Sequence, residues 1–312
     1  MTKKVVVTGG AGFIGSHLAE LLASRDYHVV ILDDLSTGKM TNVEPLLKKK
    51  NVEFVQSSIT ELPGLQTLFR DVDCIFHQAA IPSVPRSIEN PMATHDVNVT
   101  GTLNILLAAR DNNVRKVLYA SSSSVYGDTP VLPKVEDMAT NPFSPYAASK
   151  LAAENYCRVF QNIYGLPAVC LRYFNVYGPR QDPESQYAAV IPLFLKRISE
   201  GKPPVIFGDG EQTRDFTFVR DVAEANILAA DSDATGVFNI ARGEPVTVNR
   251  LVQLISDALG TNRLKPAYDT PRDGDIRHSV ADISRAQTVG FNPKYSLEDG
   301  LKETVESFQY ET

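Results

Sequence analysis

VVVTGGAGFIGSHLAELL, residues 5–22, joins an apolar β-branched run to a helix-like pattern through a turn that holds Gly9, Gly12 and Gly15. Glycine in such a turn lets the chain reverse tightly, brings its backbone against a pyrophosphate and packs the helix close to the sheet, with the helix N-terminus facing the anion. A glycine triplet alone is weak evidence. Between a strand and a helix it reads as a dinucleotide site.

The same texture continues outward. HVVIL, VEFVQ, CIFHQAA and VRKVLYASSS are apolar runs separated by crossover segments, the pattern of buried parallel strands covered by helices on both faces. The expected fold is therefore α/β, a doubly wound parallel Rossmann sheet followed by a smaller α/β C-terminal substrate domain. After AVCLRYFNVYGP, proline and glycine enter long polar connections, among them EGKPPVIFGDGEQ and DTPRDGDIR, which suit loops over a cleft. The boundaries read as 1–177 for the dinucleotide domain, with a segment about 215–241 returning to it, and 178–312 for the second domain.

At 312 residues, 43% hydrophobic and 22% charged, the chain has an ordinary globular composition. A net charge of −6, with lysines and arginines scattered apart from KKK at 48–50, gives no electrostatic footprint for nucleic acid. Cys74, Cys157 and Cys170 have neither CxxC nor Cys/His spacing, so buried thiols are expected and no metal site. The N-terminal apolar run is too short for a signal peptide and no segment reaches membrane-spanning length, so a cytoplasmic protein without membrane contact is expected.

The second strand ends VVILDDLSTGK, which puts Asp33 about 20 residues after the glycines, where a carboxylate accepts hydrogen bonds from an adenosine ribose. A carboxylate there repels a 2′-phosphate and favours NAD over NADP. Four serines in YASSSSVYGD follow a strand, where an open α/β sheet binds its ligand, although serines also serve simply to satisfy a turn. Tyr146 and Lys150 stand at i and i+4 on one face of a helix that opens at Ser144 and Pro145. A close ammonium stabilises a phenolate and depresses its ordinary pKa of about 10, so the pair reads as a base with its tuning partner.

TGGAGFIGSH, DDLSTGK, HQAA, SSSSVYG, YAASK, RYFNVYGPRQ, TRDFTFVRD and RDGD occur in the order found in the extended short-chain dehydrogenase/reductases. Nearly end to end, the chain resembles the nucleotide-sugar epimerases of the UDP-glucose or UDP-N-acetylglucosamine 4-epimerase type. The resemblance implies that Tyr146 is the base, that Lys150 holds the nicotinamide ribose and that Ser122 hydrogen-bonds the reacting hydroxyl, with Ser123 and Ser124 lining the sugar pocket. It places NAD against Phe13 and Ile14 of the glycine turn and Asp34, Leu35, Ser36, Thr37 and Gly38 after the second strand. Gln78, Ala79, Ala80, Asn98, Tyr173 and Val176 are implied to line the cofactor as well. His77 is not cast as a base. Ser58 departs from the acidic residue common at that place, while Ile59 can pack the adenine.

On the substrate side the resemblance implies that Asn175 binds the sugar nucleotide and that Val190 and Phe207 pack the uracil. Asp275 would contact the nucleotide ribose, and Arg214 and Arg272 would clamp the diphosphate, since guanidinium forks match phosphate oxygens. Ser83 and Arg86, in IPSVPRS, would lie near the sugar. Ser279 stands at the position that resembles the gatekeeper near C2 of the sugar, where some relatives confined to plain hexoses carry tyrosine.

The implied reaction is oxidation at C4 to a 4-keto sugar, rotation of the sugar and reduction on its opposite face. UDP-GlcNAc and UDP-GalNAc are the expected substrates, with UDP-Glc and UDP-Gal also accepted, and a homodimer is the expected assembly. A UDP-glucuronate 4-epimerase or decarboxylase shares the first step and needs a further positive or polar site for the carboxylate, which Arg86 or Arg180 could supply. A 4,6-dehydratase is disfavoured by Ser123 and Ser124, where that chemistry resembles an Asp-Glu pair. A non-catalytic NAD or nucleotide-sugar sensor is the remaining class of reading, and the intact Ser122, Tyr146 and Lys150 argue against it.

Overall fold

Seven parallel strands make the central sheet: β1 (Lys4–Thr8), β2 (His28–Asp33), β3 (Val52–Gln56), β4 (Cys74–His77), β5 (Lys116–Ser122), β6 (Ala168–Tyr173) and β7 (Gly236–Ile240). Their spatial order is β7–β6–β5–β4–β1–β2–β3. The computed structural model describes residues 2–182, 189–261, 264–271 and 276–311. The principal helices are α1 (Phe13–Ser24), α2 (Thr102–Asp111), α3 (Pro145–Tyr164), α4 (Val190–Ser199), α5 (Val219–Asp231), α6 (Val248–Ala258) and α7 (Leu297–Glu311).

Strand alternation builds two cores from one sheet. Val5 and Val7 face Leu18 and Leu22 of α1 and Val222 and Ile227 of α5. Val6, between them, faces Ile105 and Leu106 of α2 and Ala153 and Phe160 of α3. The doubly wound α/β fold read from the alternating runs is thus the fold observed. Strand order reverses between β1 and β4, where Thr8 pairs with His77. Open sheets of this kind bind ligands in the crevice at that reversal, beyond the carboxyl ends of the strands.

A third core gathers Ile191 and Phe194 of α4, Leu251 and Ile255 of α6 and Leu301 of α7 around Tyr177 and Phe216. Around it run short two-stranded ribbons, one pairing Thr213–Asp215 with Pro245–Thr247 and another pairing Val205–Phe207 with Ala267–Asp269. Ile14 and Val176 pack against both this core and that of α1 and α5, so the two meet above the glycine turn. Among the described residues no helix is long and apolar enough to cross a membrane, and no cluster of three or more His, Cys, Asp or Glu is placed to hold a metal ion. The three cysteines are buried and free.

Candidate active site

The turn after β1 is shaped by steric exclusion. A Cβ on Gly15 would lie 2.1 Å from the Gly9 carbonyl oxygen, and one on Gly9, whose φ is +66°, would lie 2.6 Å from the Ala79 nitrogen. Those contacts are with backbone, which cannot swing away, so the close approach of turn, helix and β4 requires glycine. Helix α1 starts from Gly12 with no side-chain cap. The N–H groups of Phe13, Ile14 and Gly15 therefore open the helix as donors, the arrangement that receives a pyrophosphate.

Asp33, at the end of β2, accepts from Ala11 N at 2.9 Å through Oδ2 and from Leu35 N at 2.8 Å through Oδ1. Each oxygen keeps a lone pair for a ribose hydroxyl. Burial raises the carboxyl pKa, and the two backbone N–H groups oppose that. Asp34 accepts from Ser36 N at 2.9 Å, which curls the loop carrying Thr37 back so that Gly38 lies over the Asp33 carboxylate. The uncapped helix and the available carboxylate fit an NAD molecule at this end of the sheet.

Further along the crevice, β5 ends at Ser122, whose Oγ caps the turn Ser123–Tyr126 by accepting from Ser124 N at 3.2 Å. The Ser124 hydroxyl is buried and has no partner among the described residues. Helix α3 brings up Tyr146 and Lys150. Ser144 caps it by accepting from Ala147 N at 3.1 Å, Pro145 fills the first turn, and Gly165, at φ +68°, ends it.

The electrostatics differ from the sequence expectation. Burial raises the Tyr146 pKa above its ordinary value, and it is the Ser122 hydroxyl, not Lys150, that acts to lower it. The Lys150 ammonium lies 5.8 Å from the Tyr146 ring centre and donates to Ala120 O at 2.8 Å. Burial brings Lys150 down to about 7, with Glu154, one turn further along α3, working against the drop. Helical spacing put the two side chains on one face. It did not say that the ammonium would find a β5 carbonyl first.

Side chains from distant segments fix the crevice walls. His77 is held between Thr8 Oγ1 at 2.7 Å and Thr102 Oγ1 at 2.9 Å, and burial lowers its pKa to about 3. A histidine neutral when folded and titrating near 6.5 when unfolded binds fewer protons in the native state, so its stabilisation is full above pH 6.5 and is lost as pH falls toward 3. In urea titrations, His77→Gln should make the fall in stability between pH 6 and 4 shallower by up to about 1.4 kcal/mol per pH unit. An unchanged slope would mean that the imidazole is not neutral in the fold.

Asn98, in the π-helical turn Asp96–Gly101, accepts from Ile81 N at 2.8 Å and donates to Ile81 O and Ser149 Oγ. Its amide ties the loop that leaves β4 to α3. Ile59 packs under Gly101, Ser58 bonds Thr60, and Ala79 and Ala80 lie half-buried beyond β4. Gln78, Tyr173 and Asn226 close a triangle: Tyr173 Oη donates to Gln78 Oε1 at 3.2 Å, Asn226 Nδ2 to Tyr173 Oη at 2.8 Å and Gln78 Nε2 to Asn226 Oδ1 at 3.1 Å.

The segment of Ser83 and Arg86 abuts the start of α3, because Ser87 Oγ accepts from Tyr146 N at 3.0 Å and Ser83 caps its own helix by accepting from Arg86 N. Asn175 takes an unusual φ of +28° just beyond β6. Val190 opens α4 and Phe207 ends its ribbon strand, both half-buried. Arg214 donates to Thr213 O at 2.9 Å, and Ser279, largely buried, donates its N–H to Thr213 O at 3.2 Å, so the two lie on adjacent backbone. Arg272 and Asp275 lie outside the described residues. Arg180, a candidate cation, pairs instead with Glu20 and donates to Ser16 Oγ beside α1.

Several buried groups were not singled out from the sequence. Glu154 and Arg172 form a bidentate pair at 2.9 and 2.8 Å behind Lys150, and Ser121 Oγ donates to the same Glu154 carboxylate. Asn226 was missed, as was Asp215, whose carboxyl burial raises to about 6 against three backbone N–H groups. A polar residue inside an otherwise apolar run, as in AEANILAA and VCLRYF, was the available signal.

Residues 5–241 match the model of the NAD dependent epimerase/dehydratase family. The UDP-glucose 4-epimerase of Mycolicibacterium smegmatis is 42% identical over 98% of this chain and 98% of its own. The UDP-glucuronate 4-epimerase of Thermodesulfobacterium geofontis is 37% identical over 96% of this chain and 94% of its own. Among solved structures, the UDP-N-acetylglucosamine 4-epimerase from Methanobrevibacter ruminantium in complex with UDP-N-acetylmuramic acid superposes with a TM-score of 0.96, at 45% identity over 100% of this chain and 99% of that one. With that match and those relatives beside a glycine turn, a serine-capped turn and the Tyr146–Lys150 helix at the carboxyl ends of the strands, the chain belongs to the NAD-dependent epimerase/dehydratase family.

Proposed function

We propose that this chain is an NAD-dependent UDP-sugar 4-epimerase that interconverts UDP-GlcNAc and UDP-GalNAc and also accepts UDP-Glc and UDP-Gal. The observation that carries the reading is the convergence of Ser122, Tyr146 and Lys150 at the crevice that begins with the uncapped α1 N-terminus. NAD, when bound, supplies a reversible two-electron oxidation at C4 of the sugar. The glycine turn and α1 hold its pyrophosphate, Asp33 its adenosine ribose, and Lys150 its nicotinamide ribose.

Tyr146 exchanges the proton of the sugar 4-hydroxyl, and Ser122 hydrogen-bonds that oxygen through both halves of the reaction. Burial penalises an isolated phenolate and an isolated ammonium alike. Phenol with amine and phenolate with ammonium carry the same net charge, so proton movement within the Tyr146–Lys150 pair adds no net charge to the site. Inversion also needs one fixed end and one free end. Arg214 and Arg272 anchor the diphosphate while the 4-keto sugar turns and presents its other face.

Substrate breadth follows from Ser279, whose small side chain leaves room for an N-acetyl group at C2. Ser279→Tyr should reduce kcat/KM for UDP-GlcNAc at least about 100-fold while UDP-Glc changes by less than about fivefold, as a filled pocket rejects the larger group. Equal losses on both sugars would contradict this assignment. UDP-glucuronate belongs in the same panel, because its 4-epimerase is the rival reading. The engagement of Arg180 with Glu20 leaves Arg86 as the cation that reading would use.

The enzyme acts as a homodimer in this proposal. Val159 and Ile163 of α3 and Ile88 and Met92 on the segment packed against it are exposed large apolar side chains, a surface suited to a second copy.

A further inference from the structure

We propose that Asp215 is the positioning residue that keeps the sugar-facing strap, residues 277–282, in register with the arginine strand Thr213–Asp215. This deepens the function proposed above and rests on its reading of Ser279. Asp215 is fully buried, yet among the described residues no cation accompanies its carboxylate in the hydrogen bonds it makes. Oδ1 accepts from Arg242 N at 3.0 Å, and Oδ2 accepts from Gly243 N and Ala281 N, both at 3.1 Å. Successive N–H groups at Arg242 and Gly243, the latter at φ +79°, form an anion-receiving concavity in the loop after β7. The donor at Ala281 comes from the strap, two residues beyond Ser279. One carboxylate therefore joins three pieces of chain: the arginine strand, the loop after β7 and the strap.

Burying a carboxylate is costly, and packing alone would be served by an apolar or amide side chain. What the charge adds is acceptance from three donors of one sign, which an asparagine cannot reproduce, since its amide nitrogen would face an N–H. The strap is held on both edges. Thr213 N donates to Arg277 O at 2.9 Å and Ser279 N to Thr213 O at 3.2 Å on one side. On the other, Lys134 N donates to Val280 O at 2.8 Å and Asp282 N to Lys134 O at 2.9 Å. Lys134 lies on the stretch that leads from the serine turn to Tyr146. The position of Ser279 relative to the reacting hydroxyl thus passes through this strap, and Asp215, through Ala281 N, is the buried carboxylate that fixes its register, alongside Asn239, whose Nδ2 donates to Asp282 O at 3.2 Å.

The test is Asp215→Asn in the full-length enzyme, read by hydrogen exchange and by steady-state kinetics on UDP-GlcNAc. Exchange of the strap amides 277–282 should quicken at least about tenfold, the loss expected for one hydrogen bond to a charged group, while β1 and β4–β6 keep their protection. KM should rise about tenfold with kcat within about threefold, because what is lost is the placement of bound sugar and not the chemistry. Thr213→Val, which removes the bond between Thr213 Oγ1 and His278 Nδ1, should shift KM in the same direction by less; if the asparagine variant does not fold, Asp215→Glu, which keeps the charge but displaces its oxygens from the three donors, is read by the same exchange and KM measurements. Unaltered strap exchange overturns the proposal, as does a loss confined to kcat with KM unchanged. If the parent enzyme turns over no UDP-hexose, the functional reading has failed, and strap exchange still decides whether Asp215 holds the register.

Discussion

Tyr146→Phe should lower kcat for UDP-sugar epimerisation by about three orders of magnitude, within the range of 10²–10⁴ that a positioned general acid–base supplies. The substitution removes one oxygen. It leaves the α3 cap at Ser144, the Lys150 bond to Ala120 O and the Ser122 turn in place. Stability should change little, and the purified variant should retain NAD in the same proportion and bind UDP within about threefold of the parent, because neither ligand depends on the phenol. Turnover by a coupled product assay, cofactor content after denaturation and UDP calorimetry together check this. A kcat within tenfold of the parent would remove Tyr146 from the chemistry.

The second large effect is expected at Gly15. A methyl group there would overlap the Gly9 carbonyl at 2.1 Å and the Gly10 Cα at 2.8 Å. Since both are backbone, the turn must open and move α1 away from β1, and overpacking of a rigid site costs about 1–3 kcal/mol or more. Gly15→Ala should therefore lower the melting temperature by roughly 5 °C or more and yield protein without NAD. Gly12 offers the contrast, since among the described residues its added Cβ would meet only the Gly9 oxygen, at 3.1 Å. Gly12→Ala should fold within about 1 kcal/mol of the parent and lose cofactor affinity by crowding the pyrophosphate. Equal stability of the two variants would contradict the steric account of the turn.

What could be read from the sequence was what is local. A strand, a glycine turn and a helix are adjacent in the chain, so their meaning survives without tertiary knowledge. The i, i+4 spacing of Tyr146 and Lys150 is fixed by helix geometry alone. The groups that escaped notice have distant partners. Asp215 takes donors from Arg242, Gly243 and Ala281, and Asn226 completes a triangle with Gln78 and Tyr173 from the far side of the chain. No window of sequence brings these together. The protonation balance of Tyr146 is tertiary for the same reason, because burial and the Ser122 hydroxyl, which comes from the end of β5, set its direction. Arg180 shows the converse: its motif offered a cation for substrate, and the fold paired it with Glu20.

The claim on which the account depends is that C4 of the sugar is oxidised and then reduced within one site by a cofactor the protein keeps. Purified enzyme, with no NAD added, should convert UDP-GlcNAc deuterated at C4 into UDP-GalNAc that retains its deuterium at C4 in ordinary water. Product whose C4 deuterium has been replaced by hydrogen from the solvent, or conversion by protein shown to hold no NAD, would contradict the account.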